Sequence, residues 1–251
     1  MTDQVITERD GRVLTVTMNR ADKKNALTHD MYLAIADALE LAHKDQQIRC
    51  VIITGAGDSF TAGNDLSDFA AGLPEGKPPV VRFLEAIVNC DKPVMAAVNG
   101  PAVGVGLTML LHSDLVYASE RATFRSPFPH VGVVPEAGSS LLLPMTVGNA
   151  WANDIFIGGR VLSAADALSA GLISRVFPAA SFMEECRKIA RAVAAQAPNA
   201  MLHTKRLIRA NRDVIIERMK TEGEIFNAQL KSPEFMVAAA AYMQKRLPEF
   251  D

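Results

Sequence analysis

The chain has 251 residues, enough to bury a sizeable core as one large domain or as one domain with an appendage. A formal net charge of −2 and a pI of about 6.2 give no reason to expect a nucleic acid or an anionic membrane surface as partner. No uninterrupted apolar run approaches the ~20 residues needed to span a bilayer, and the N-terminal MTDQVITERDG has no apolar signal core.

The three cysteines, Cys50, Cys90 and Cys186, are odd in number, far apart and set among apolar residues, as expected for reduced, buried thiols. The C-terminal RLPEFD carries no lipidation or retention address and no Ser-Lys-Leu-like ending. These features predict a cytoplasmic protein.

In chain order, Gln4–Glu8 and Val13–Met18 alternate apolar and polar residues around Asp10-Gly11 and predict a β-hairpin. Asn19–Ala26 is a basic, polar loop. Thr28 then caps a helix whose apolar stripe is Met31, Ile35, Ala38, Leu39 and Ala42. Cys50–Thr54 is a β-branched strand running into glycines, followed by Phe60-Thr61-Ala62-Gly63-Asn64-Asp65-Leu66. Residues 70–79, rich in glycine and proline, predict an irregular loop, and Arg82–Asn89 a helix. Val94–Val98 is short and apolar, a buried strand. It breaks into the glycine-rich turn Asn99–Gly106, and Leu107–Leu111 begins a helix.

Beyond Gly138, Ser139–Leu143 and Asn149–Ile157 predict two helices separated by Pro144. Ser163 caps a short helix closed by Gly171, and Leu172–Phe177 is a final strand. Helices are then expected over Phe182–Ala195, Met201–Arg212, Val214–Lys231 and Glu234–Arg246, with Pro198 and Pro233 marking the breaks. The composition changes near residue 180, from an α/β core to an all-helical tail.

The chemistry concentrates where strands run into glycines. Ala62-Gly63-Asn64 and Gly104-Val105-Gly106 each expose a backbone N–H that no side chain crowds. Two such donors aimed at one point would form an oxyanion hole, in which losing one donor typically costs ~3–4 kcal/mol of barrier. Glycines that only turn the chain would leave the same pattern. A dinucleotide fingerprint is disfavoured because no glycine follows Gly106 three residues on, and a phosphate loop because no Gly-Lys-Ser/Thr follows. The spacing of Gly100–Gly106 resembles a nicotinamide-binding reductase turn, but Tyr117 is followed four residues later by Arg121 rather than Lys.

Glu136 lies in Val133-Val134-Pro135-Glu136-Ala137-Gly138, a carboxyl among apolar and small residues. Desolvation there would raise its pKa and suit it to exchange protons near neutrality. A glutamate that merely stabilises a helix N-terminus fits the same position. His130 is a competing acid–base candidate, although a lone histidine, like His112, is more often a hydrogen-bonded structural residue. No His/Cys/Asp/Glu set has metal-ligand spacing, and there is no Gly-x-Ser-x-Gly elbow.

Taken together these stretches resemble the enoyl-CoA hydratase/isomerase (crotonase) superfamily, and within it the Δ3,Δ2-enoyl-CoA isomerases of the peroxisomal type. The resemblance runs over roughly residues 5–250. Asn19-Arg20…Lys24-Asn25-Ala26-Leu27 resembles the family's first CoA-contacting loop. Phe60–Leu66 and Asn99–Gly106 resemble its two oxyanion loops, and Gly159-Arg160…Ala164…Ala167…Gly171-Leu172 the segment leading to the helical tail.

The resemblance implies a spiral of ββα turns over residues 1–195 and a helical region over 196–251 that assembles homotrimers or dimers of trimers. It implies that the Asn64 and Val105 amides grip the thioester oxygen of an acyl-CoA. Lys24 would meet the phosphates and the Ala62 region the adenine end. Ala26, Gly63, Asp65, Leu66, Gly104 and Phe128 would complete the substrate-binding surface. Coenzyme A would enter as part of the substrate, with no metal or redox cofactor.

Two departures from the hydratase pattern bear on the reaction. Hydratases place one glutamate in the helix after the second oxyanion loop, where this chain has Thr108, and another where it has Phe128. Pro135–Ser140 instead resembles the segment in which peroxisomal-type isomerases keep a single base. The expected reaction is therefore isomerisation of a 3-enoyl-CoA to a 2-enoyl-CoA through Glu136. Hydration, or non-catalytic acyl-CoA binding, is the alternative.

Overall fold

The computed structural model describes residues 3–65, 76–244 and 246–250. Leu66 and residues 70–75 of the expected glycine- and proline-rich loop lie outside them.

The N-terminal hairpin forms as its alternation predicts. β1 (Val5–Asp10) pairs antiparallel with β2 (Val13–Met18) across the turn at Gly11, whose φ is +57°. The Thr28 hydroxyl accepts a 3.2 Å bond from the Met31 N–H and so starts α1 (His29–Lys44). The predicted stripe of that helix, Met31 through Ala42, is buried, and Tyr32 and Ala36 are buried with it. β3 (Cys50–Gly55) follows, then α2 (Pro79–Asn89), which begins three residues earlier than expected because proline suits the first turn of a helix.

β4 (Val94–Val98), β6 (Leu115–Ser119) and β9 (Arg175–Phe177) complete a six-stranded sheet in the order β1-β2-β3-β4-β6-β9, parallel from β2 onward. Parallel strands covered on both faces read as continuous apolar runs. In β3, Val51 and Ile53 join the main core with α1, while Cys50 and Ile52 face the other way. There they meet Phe182, Cys186 and Ala190 of α6 (Phe182–Ala194). The three cysteines are free and buried.

A second, three-stranded sheet joins β5 (Ala102–Val103), β7 (Thr123–Arg125) and β8 (Leu162–Ser163). Between β5 and β6 the chain makes a short helix, α3 (Val105–Thr108), which tightens into a 3₁₀ turn over Met109–His112.

One element corrects the sequence reading. Ser139–Phe156, α4, comprises two helices, as expected, but Pro144 lies inside the first and the break falls at Gly148 (φ 78°, ψ 160°) rather than at the proline. Proline removes one helical hydrogen bond and crowds one carbonyl, whereas Gly148 takes up a backbone conformation closed to other residues. α5 (Ala164–Ser169) is capped as predicted, with Ser163 and Asp166 forming a reciprocal capping box. α7 (Pro198–Ile208), α8 (Arg212–Gln229) and α9 (Pro233–Met243) form the helical C-terminal region, and both prolines open helices. Among the described residues, no helix is long and apolar enough to cross a membrane.

Candidate active site

Three loops far apart in sequence are laced together by backbone hydrogen bonds. The Leu27 N–H donates to the Gly63 carbonyl (2.8 Å), and the Asp65 N–H donates to the Leu27 carbonyl (2.9 Å). The Val103 N–H donates to the Thr61 carbonyl (3.0 Å), and the Thr61 N–H donates to the Pro101 carbonyl (3.1 Å). Close packing explains two of the glycines. A Cβ on Gly63, which has φ of +91°, would come 3.0 Å from the Val103 carbonyl oxygen. One on Gly106 would come 2.5 Å from Cγ2 of Thr61. The two glycine turns singled out in the sequence therefore touch each other.

This lacing determines where the two candidate amides face. In the parallel bridge between Leu27 and Asn64, the bonds are made by the neighbours Gly63 and Asp65. The Asn64 N–H is directed away from Leu27. Val105 is the first residue of α3, so its N–H is one of those that helix geometry leaves without an intrahelical acceptor. Gly104 precedes it with φ 57° and ψ −118°, and its own N–H donates to the Arg125 carbonyl (2.9 Å).

The carboxyl of Glu136 meets this cluster from the other side. The fully buried Thr108 hydroxyl donates a 2.5 Å bond to Glu136 Oε1 and also lies 3.4 Å from the Val105 carbonyl. The residue retains some solvent access, yet its carboxyl is densely surrounded by protein. Burial pushes its pKa up to about 7 against the opposing Thr108 bond, and the charge of Glu222 adds to the rise. A carboxyl poised there can take up and return a proton at neutral pH.

Tyr32, which the sequence reading passed over, closes the ring. Its hydroxyl donates to Asn64 Oδ1, and its ring lies 5.5 Å from that of Phe83. Burial, reinforced by the charge of Glu136, pushes the phenol pKa well above its usual value, so it remains a donor. The one clue in the sequence was its place beside Met31 on a stripe otherwise made of hydrocarbon.

The turn that carries Glu136 is unusual. Ala137 has φ of +64°, a left-handed conformation that costs a non-glycine residue ~1–2 kcal/mol, and Gly138 follows at +70°. The carbonyl of Ala137 accepts a 2.7 Å bond from His112 Nε2. A carbonyl can only accept, so Nε2 carries the proton, and burial lowers the imidazole pKa to about 4. Glu222 on α8 accepts bonds from the Gly138 N–H (2.5 Å) and the Ser140 N–H (2.8 Å).

The remaining candidates are arranged around this centre. Lys24 is exposed and left-handed (φ 51°), and its carbonyl accepts from the Ala62 N–H at 2.9 Å. The Ala26 carbonyl and the Asp65 carboxylate both accept from Arg20, at 3.0 and 2.5 Å, which makes Asp65 an ion-pair partner within the loop. Asn25 is wholly buried and ties the loop down, donating to the carbonyls of Ala56 (2.9 Å) and Ser59 (2.8 Å). Phe128 is buried, its ring 6.3 Å from that of Phe156, and His130 beside it is exposed. Among the described residues, no group of three or more His, Cys, Asp or Glu side chains could hold a metal ion.

A mixed α/β spiral with a helical C-terminal region and two interlocked glycine turns defines the crotonase fold. Its closeness to solved members is direct. A crystal structure of an enoyl-CoA hydratase/isomerase from Pseudoalteromonas atlantica T6c is 53% identical, with a TM-score of 0.97 over 99% of this chain and 100% of that one. The family model for enoyl-CoA hydratase/isomerase matches residues 8–251, and the chain belongs to that family.

Its relatives differ in reaction. Enoyl-CoA delta isomerase 2 of Rattus norvegicus is 40% identical over 214 residues, covering 82% of this chain and 54% of that protein. This chain thus corresponds to about half the length of that relative. The 2,3-dehydroadipyl-CoA hydratase of Escherichia coli K12 is 33% identical over 98% of both chains.

Proposed function

We propose that this protein isomerises 3-enoyl-CoA to 2-enoyl-CoA. Glu136 removes a proton from C2 of the substrate. Negative charge passes to the thioester oxygen of the dienolate, where the Asn64 and Val105 amides stabilise it. The protonated Glu136 then returns the proton to C4, and the double bond moves into conjugation. One acid–base group suffices, because no water is added and the proton leaves and re-enters the same molecule. The step needs no metal or redox group, only the coenzyme A that the substrate carries.

The observation that carries this reading is the environment of Glu136. It is a desolvated carboxyl, titrating near neutrality, held by a threonine hydroxyl at a position where hydratases carry a second carboxylate. Phe128 replaces the other hydratase carboxylate with a buried ring, which favours exclusion of water. Among the described residues, Glu222 is the other carboxyl that influences Glu136, but its oxygens are engaged by the Gly138 and Ser140 amides. Lys24, exposed at the rim of the first loop, suits contact with the phosphates of coenzyme A, and exposed Ala62 beside it suits the adenine end. Apolar side chains left exposed on the C-terminal helices, among them Leu207, Ile208 and Met236, support assembly of copies into a trimer or a dimer of trimers.

The test is Glu136→Gln assayed with 3-enoyl-CoA and 2-enoyl-CoA substrates of several chain lengths. Isomerisation is expected to fall by orders of magnitude, with acyl-CoA affinity retained. Full isomerase activity in the variant would refute the mechanism. Robust hydration of 2-enoyl-CoA by the unaltered protein would favour the hydratase reading, and binding without turnover of any enoyl-CoA a non-catalytic one.

A further inference from the structure

We propose that Glu222 and His112 are positioning residues that together hold the Glu136–Gly138 turn in its left-handed form and so aim the Glu136 carboxyl at the Thr108 side of the site. The inference rests on the role proposed for Glu136.

Two adjacent left-handed residues, one of them alanine, do not persist without outside support. Here the support comes from both flanks. His112, at the end of the 3₁₀ turn that follows α3, holds the Ala137 carbonyl at 2.7 Å. Glu222 holds the next two available amides, Gly138 at 2.5 Å and Ser140 at 2.8 Å. Both side chains are buried, so neither bond competes with solvent.

Van der Waals contact adds a third fixed point from the same face of α8. A Cβ on Gly138 would come 3.3 Å from both Ile215 Cγ2 and Met219 Cγ, and residues 215, 219 and 222 share one helical stripe. A helix near the C-terminus is thereby wired to the turn bearing the base, more than eighty residues away in sequence.

The two residues should act differently. Glu222 also carries charge, and it contributes to raising the Glu136 pKa. Among the described residues, the groups facing Glu136 are Tyr32 from α1, Thr108 from α3 and Glu222 from α8. Arg218 of α8 acts on Glu222, and Arg209, just past the end of α7, acts on His112. Burial raises the pKa of Glu222 as well, against the bonds from Ser140 and Gly138. Tyr32 and His112 are neutral at working pH, so ionised Glu222 is the anion among these groups that acts on the base.

The experiment compares Glu222→Gln, His112→Phe and His112→Gln in the full-length protein. Glu222→Gln removes the charge yet keeps an acceptor for one amide. The acid limb of its kcat/KM profile should move to lower pH, because a like charge that raised the Glu136 pKa is gone. His112→Phe keeps the ring but loses the donor. Its kcat should fall by about 10²-fold with KM little changed, as expected when a reacting group is misplaced by about 1 Å. The acid limb should stay in place, and His112→Gln should restore part of the rate.

Titration of the Glu136 carboxyl by ¹³C NMR, assigned with Glu136→Gln, gives a readout independent of turnover. If the unaltered protein fails to isomerise 3-enoyl-CoA, the functional proposal falls, while a downward move of the Glu136 titration in Glu222→Gln still supports the clamp. A purely structural helix cap would lower stability and leave both the titration and the acid limb unmoved. That result, or full kcat in His112→Phe, would overturn the inference.

Discussion

Replacing Glu136 with glutamine should make the protein more stable in alkaline solution, although it removes the proposed base. In the unfolded chain the carboxyl ionises near its ordinary value of 4.5, whereas in the folded protein burial holds it protonated up to about 7. Between those values the native state binds a proton that the unfolded state has released, so stability falls as pH rises through the window. Displacing the ionisation from 4.5 to about 7 corresponds to about 3 kcal/mol of stability, fully lost above the higher value. This figure is a ceiling, because the residue keeps some access to solvent. Glutamine is neutral throughout and escapes the loss. Urea unfolding followed by circular dichroism should therefore show nearly equal stabilities at about pH 5 and a more stable variant at about pH 8, by up to about 3 kcal/mol. Parallel pH dependences for the two proteins would refute the buried, pKa-raised carboxyl on which both proposals rest.

Thr108→Val keeps the volume but deletes the hydrogen bond to Glu136. A bond to an ionised group is worth about 1.5–3 kcal/mol, so the acid limb of kcat/KM should rise by about one to two pH units, opposite in sign to Glu222→Gln. Lys205→Met tests the helical region. Its ammonium is almost wholly buried, 2.6 Å from Asp114 and 2.7 Å from the Lys92 carbonyl, and its loss should destabilise by roughly 3 kcal/mol in urea melts.

Much of this architecture was legible because it depends on local pattern. The Asp10-Gly11 hairpin, the Thr28 cap and the Met31–Ala42 stripe are set by spacing and capping chemistry, and the structure reproduces them. The glycine turns were legible for a related reason: a strand ending in glycines announces a backbone that something approaches closely, and here that something is the other turn.

The partners of Glu136 were not legible. Tyr32 reaches Asn64 across 32 positions, His112 reaches Ala137 across 25, and Glu222 reaches Gly138 across 84. A polar side chain on an apolar helix face shows that some partner is needed, but not which one. His112 was read as a hydrogen-bonded structural residue, and it is hydrogen-bonded. What the pattern lacked was that its acceptor adjoins the candidate base. The misplaced break between the two helices of α4 has the same origin, since proline is conspicuous in sequence while the permissive φ of Gly148 shows only once the chain is folded.

The interlocking of the loops at Leu27, Gly63, Thr61 and Val103 uses main-chain atoms at nearly every join. The separation of the Asn64 and Val105 amides is therefore insensitive to most side-chain replacements, whereas the side chains at 108, 128 and 136 project from that frame. Exchanging those three positions should alter the reaction without disturbing the two amides proposed to hold the thioester oxygen. Reassigning the reaction of such a scaffold is then a problem of a few side chains, and a library confined to them is the economical place to search for new activities.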